Sequence, residues 1–102
     1  MESSEKKWRG GARIDLMNAT WPFAKLKVTK TELDLRVTFF GKYVFKPEDV
    51  ERVEAYGLIP FVGKGVRIHH NVAGYPKKII FWYLCFSPKE IVHTIKSLGF
   101  GT

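Results

Sequence analysis

Ser87-Pro88-Lys89-Glu90-Ile91-Val92-His93-Thr94-Ile95-Lys96-Ser97-Leu98-Gly99-Phe100 is the stretch of this chain that carries a full set of helix punctuation. Ser87 and Glu90 stand at the S-x-x-E spacing in which serine caps the helix start and glutamate reaches back. Pro88 falls at the first helical position, where its missing N–H costs nothing. Ile91, Val92, Ile95 and Leu98 form one apolar stripe that needs a sheet or barrel to cover. Gly99 supplies a left-handed stop, and Phe100 stands where a Schellman cap makes its hydrophobic contact with Ile95.

Upstream of this helix the apolar residues alternate with polar ones. The Gly10-Gly11 pair breaks the chain before a first strand that starts at Ala12 and ends at Asn18, with a turn through Thr20-Trp21-Pro22. Ala24, Leu26 and Val28 alternate with Lys25, Lys27 and Thr29. After the turn Lys30-Thr31-Glu32, Leu33, Leu35 and Val37 alternate with Asp34, Arg36 and Thr38, which is the pattern of a hairpin. Phe39-Phe40-Gly41-Lys42 is a tight reversal into Tyr43-Val44-Phe45, and Lys46-Pro47-Glu48-Asp49 is a turn by composition. Further strands are predicted over Val50–Tyr56, Gly65–His70 and Lys77–Phe86. The last is apolar on both faces and must be covered twice. The sum is seven antiparallel strands and one C-terminal helix.

A chain of 102 residues buries a single core. The expected organisation is a flexible N-terminal tail over residues 1–9, anchored by Trp8, and a single domain over 10–102. Cys85 is the sole cysteine, which excludes a disulfide framework and a thiolate metal site. Met1 to Lys7 is polar and charged where a secretory signal carries an apolar run, so the expected location is cytoplasmic. Seventeen Lys and Arg against ten Asp and Glu give a formal charge of +7, enough to attract phosphate-bearing partners over about a Debye length.

The strand count, the short connections and the passage Ile79-Ile80-Phe81-Trp82-Tyr83-Leu84-Cys85-Phe86-Ser87-Pro88 into a final helix resemble the pleckstrin-homology (PH) superfold. The likeness is to its small bacterial PH-like domains of uncharacterised function, over Ala12 to Phe100. It implies a seven-stranded antiparallel barrel or orthogonal sandwich, with sheets of four and three strands and the helix plugging one open end. Eukaryotic PH domains carry a tryptophan within that helix; here Trp82 stands on the preceding strand. The resemblance also implies an anion site. Lipid-binding members grip inositol phosphates with a basic cluster on the first two strands, and Arg13 with Lys25-Leu26-Lys27 is similar to that pattern, with Lys30 joining from the nearby turn. The plainer account is that alternate lysines form the solvated face of a half-buried strand.

Other motifs point away from catalysis and cofactors. Gly63-Lys64-Gly65 lacks the spacing of a phosphate loop and fits a hairpin turn better. His69 and His70 are neighbours on a strand, so their rings face opposite ways and do not share a metal ion. Cys85 lies in an apolar run, where a cysteine behaves as a small buried hydrophobe. Asp49 or Glu48 suits a local backbone cap. No pairing of nucleophile and base is evident, so the expectation is a noncatalytic binding or scaffold module without cofactor or metal. Trp21, Phe39, Phe40 and Tyr83 are the candidate interface. A protein partner or a homo-oligomer is the leading expectation for the partner, with an anionic membrane surface as an accessory. The alternative is a small basic β-barrel that binds single-stranded nucleic acid through interleaved aromatic and basic side chains.

Overall fold

In a computed structural model, which describes residues 5–57, 64–83 and 89–101, the strands are β1 (Lys6–Ile14), β2 (Met17–Val28), β3 (Leu33–Val37), β4 (Gly41–Phe45), β5 (Val50–Gly57), β6 (Lys64–His70) and β7 (Ile79–Tyr83). A 3-10 turn, Pro47–Asp49, links β4 to β5, and the helix α1 spans Lys89–Ser97. All pairings are antiparallel and form one sheet in the order β4-β3-β2-β1-β7-β6-β5. The expected groups of four and three strands are present, but they are continuous. β1 pairs with β2 over its whole length and with β7 only over Gly11–Ile14, so it is the hinge at which the sheet curls into a half-barrel.

The first strand starts six residues earlier than the sequence suggests, at Lys6. Gly10 and Gly11 do not break it. A side chain at Gly10 would collide with the Trp82 carbonyl, and one at Gly11 with the Trp82 indole, so the pair lets β1 and β7 approach where a Cβ has no room. The expected turn at Thr20-Trp21-Pro22 is a bulge inside β2. Gly10 pairs with Ala24 and Ala12 with Ala19, leaving Thr20–Phe23 opposite Gly11 alone. The chain reverses instead at Asp15-Leu16, with Asp15 at φ 53°. Its backbone N–H donates to the Lys78 carbonyl at 2.8 Å and its carboxylate accepts from the Lys78 N–H at 3.1 Å. Aspartate is among the residues that tolerate this left-handed conformation, and here the bonds to Lys78 hold it there.

The other turns lie where composition placed them. Thr29 Oγ1 accepts from the N–H groups of Thr31 and Glu32 at 3.2 and 3.1 Å. Phe39 and Gly41 take positive φ in the β3–β4 reversal, and the Asp49 carboxylate accepts from the Lys46 N–H at 2.9 Å. Lys64 and Gly65, expected in a turn, open β6. β7 begins at Ile79, and Ile79, Ile80, Phe81 and Trp82 are buried on both faces as the apolar run requires. Leu84, Cys85 and Phe86, the Ser87 cap, Pro88 and Gly63 lie outside the described residues.

Inward side chains of every strand form one core with Ile91, Ile95 and Phe100. The helix lies against β5 and β6. Its end is a Schellman cap: the Phe100 N–H donates to Ile95 O at 3.3 Å, the Gly99 N–H to Lys96 O at 3.0 Å, and Gly99 sits at φ 104°. The β4 end of the sheet is held to the end of β6 and the loop that follows it by an aromatic seam. Tyr75 stands edge-on to Tyr43 at 5.3 Å and to Phe45 at 5.4 Å, and His70 meets Phe45 at 5.0 Å. The Tyr75 hydroxyl accepts from the Val44 N–H at 3.2 Å and donates to the Val44 carbonyl at 3.4 Å, so a side chain satisfies the open edge of β4.

Phe100 is wholly buried at the point where the helix cap meets the core. Phe100→Ala is expected to lower the unfolding free energy by about 3–5 kcal/mol in urea titration, the range for a buried phenylalanine that leaves a cavity. A loss below about 1 kcal/mol would mean the helix end does not close the core.

Candidate functional site

Alternation along β2 sends Ala24, Leu26 and Val28 into the core and Phe23, Lys25 and Lys27 to the outer face. The neighbouring strands obey the same register. Trp8 stands opposite Leu26 with its ring against the core, which turns Lys7 and Arg9 outward. Two rows of side chains then cross the strands on the outer face. One runs Arg9, Lys25, Arg36, Lys42 over β1, β2, β3 and β4, and the other runs Lys7, Lys27, Asp34, Val44. Directly opposed residues of neighbouring strands hold their Cβ atoms about 4.5–5.5 Å apart, so the first row is a line of four cations at near contact spacing.

Compensating acid is sparse. The Glu5 carboxylate lies 3.5 Å from Lys27 Nζ and 4.0 Å from Lys7 Nζ, and Arg9 donates to the Pro22 carbonyl at 3.4 Å. Asp34 is 4% exposed and its Oδ2 stands 3.7 Å from Arg36 Nε, while its Oδ1 is enclosed without a hydrogen-bond partner among the described residues. Lys7, Arg9, Lys25, Lys27 and Arg36, with Asp34 and the strand segments at Trp8 and Leu26, line a cleft of about 390 Å³.

Of the four residues expected to form an anion cluster, the fold brings two together. Lys25 and Lys27 share the outer face. Arg13 lies beyond the β2 bulge, opposite Asn18, with its Nε donating to the Asp15 carbonyl at 3.3 Å. Lys30 is in the β2–β3 turn, beside a shallow depression with Lys46 and Glu48. Their places are taken by Lys7, Arg9 and Arg36. The signal for the first two was present in Lys7-Trp8-Arg9, a polar-apolar-polar triplet that reads as strand once it is not assigned to a tail. Among the candidate interface residues, Phe39 is 96% and Trp21 51% exposed. Phe40 and Tyr83 instead pack partly buried against the core, Tyr83 stacked on Phe81 at 6.1 Å.

His69 and His70 do face opposite ways. The inward His70 is held by two backbone groups: its Nε2 donates to Pro76 O at 2.8 Å and its Nδ1 accepts from the Val72 N–H at 3.0 Å. On the outer face His69 Nε2 meets Glu54 Oε1 at 2.7 Å, with Arg52 3.7 Å from the same oxygen. Among the described residues no three His, Cys, Asp or Glu side chains converge as a metal site requires, and no helix is long and apolar enough to cross a membrane. No protein-family model matches the chain, and no curated protein is significantly similar to it.

The hydrogen bond from His69, aided by the Arg52 charge, holds the Glu54 carboxyl below its ordinary pKa against a smaller opposing effect of burial. A depressed carboxylate pKa means that the pair's contribution to stability is present above the ordinary carboxylate range and is lost as pH falls through the lowered value. In His69→Ala, which removes the donor, the Glu54 carboxyl, followed by carbon-13 NMR, is expected to titrate at higher pH than in the parent chain. An unchanged midpoint would rule the pairing out.

Proposed function

We propose that the chain is a noncatalytic PH-like binding module that holds a phosphate-bearing ligand on the outer face of β1–β4. The strand order and the terminal helix are compatible with a PH-like fold and support the first half of this reading. The observation that carries the second half is the row Arg9, Lys25, Arg36, Lys42. Like charges opposed across strands repel one another. An anion seated over the row turns that repulsion into charge-assisted hydrogen bonding, and two of the four cations are arginines, whose planar fork matches phosphate oxygens. The phosphate can be presented by a lipid headgroup or by a soluble ester.

A second reading, contact with another protein or a second copy of the chain, is favoured by the exposed rings. The Phe23 carbonyl accepts from the Thr38 N–H at 2.9 Å, which places Phe23, 47% exposed, beside the Phe39 tip. Aromatic side chains next to arginine have the composition of an interface core.

Vesicles of phosphatidylcholine containing phosphatidylglycerol are expected to sediment the protein at low ionic strength, whereas pure phosphatidylcholine is not. Lys25→Ala and Arg36→Ala should each weaken the partition by about fivefold, since a cation near an anionic surface contributes about 1 kcal/mol. Binding that ignores both substitutions and added salt would contradict the assignment of this face. Light scattering that shows a stable oligomer dispersed by Phe39→Ser would favour the second reading.

A further inference from the structure

Asp34 is out of place in a face built of cations. It is 4% exposed, it stands directly opposite Lys27, and Arg36 Nε at 3.7 Å from Oδ2 is too far for a hydrogen bond. Its Oδ1 is enclosed with no donor among the described residues. Leaving a buried carboxylate oxygen unpaired is among the costlier things a fold does, and such atoms call for an explanation. Here the residue lines the 390 Å³ cleft, a volume in the range of small-molecule sites, about 300–1,000 Å³.

The cleft therefore offers two kinds of recognition to one occupant. Lys7, Lys25, Lys27 and Arg36 attract a phosphate. Asp34 requires an N–H or O–H donor and repels a bare anion. Inorganic phosphate uses only the first of these. A phosphate ester joined to a ring that carries N–H groups uses both.

We propose that this cleft is a binding site for a nucleoside phosphate, with its phosphate on the lysines and Arg36 and its base N–H groups on Asp34. The assignment rests on the phosphate-binding reading of the same face and narrows its ligand. Guanine fits better than adenine, because its ring N–H and exocyclic amine lie side by side and match the two oxygens of a carboxylate, whereas adenine offers the amine alone.

The test is a calorimetric or NMR titration of the full chain with guanosine 5′-monophosphate, adenosine 5′-monophosphate and ribose 5-phosphate. The guanine nucleotide is expected to bind about tenfold more tightly than ribose 5-phosphate, at the lower end for one bidentate base contact, and more tightly than the adenine nucleotide. Asp34→Asn should remove most of that advantage by weakening the guanine nucleotide while ribose 5-phosphate binds as well or better, and Lys25→Ala should weaken all three alike. The comparison among the three ligands needs no variant, so it stands even if Asp34→Asn does not fold. Equal affinity for the guanine nucleotide and ribose 5-phosphate would overturn the proposal while leaving the phosphate reading in place. Tighter binding of every ligand to Asp34→Asn would overturn it as well, because Asp34 would then act only by repulsion. If none of the three binds, the phosphate reading falls with it.

Discussion

The register of β1 on β2, with Trp8 opposite Leu26, is the constraint on which both the core and the cationic face depend. Side chains alternate with a period of two, so a slip of β1 by one residue would carry Lys7 and Arg9 towards the core and Trp8 out to water. Burying even one of those charges without a partner costs more than the pairing of the strands returns. The core thus fixes the register, and the register in turn sets four cations in line. The outer row is a consequence of how the inner face packs, so binding chemistry and folding stability are written into the same residues of β2.

The long, bent β1 makes the curl possible, and the seam opposite keeps it. Gly10 and Gly11 allow β7 to lie against β1 on one side of the bend, and the β2 bulge at Thr20–Phe23 takes up the extra length on the other. Tyr43 and Phe45 of β4 meet His70 at the end of β6 and Tyr75 in the loop beyond it by ring contact, and the Tyr75 hydroxyl occupies the backbone groups of Val44 that would otherwise recruit another strand. Phe100 and the helix stripe fill what the curled sheet encloses.

Much of this was legible because the signals were local. The β2–β3 hairpin is alternation on both sides of a polar turn, and the helix stop at Gly99-Phe100 is a short-range motif with its own hydrogen bonds. The misplaced features were those in which a local sign is overruled by a distant contact. A glycine pair is a chain breaker by propensity, yet here it serves the approach of Trp82 from the other end of the sequence. Trp21-Pro22 looks like a turn, but the reversal is made by Asp15, whose bonds run to Lys78, 63 residues away. The site followed the same rule. Lys25 and Lys27 were visible as alternate residues of one strand, while Lys7, Arg9 and Arg36 join them only through cross-strand register, which no single stretch of sequence states.

The structure as a whole places positive charge on one sheet face in excess of the acid available to balance it, and the proposed role follows from that imbalance. The most direct measurement is a nitrogen-15 NMR titration of the full chain with inorganic pyrophosphate at low salt. The account predicts backbone shifts gathered on Lys7–Arg9, Lys25–Lys27, Asp34–Arg36 and Lys42, the strands that carry the two rows. Shifts centred instead on the Arg13–Leu16 tip or on Arg52 and His69, or no shifts at all, would contradict it.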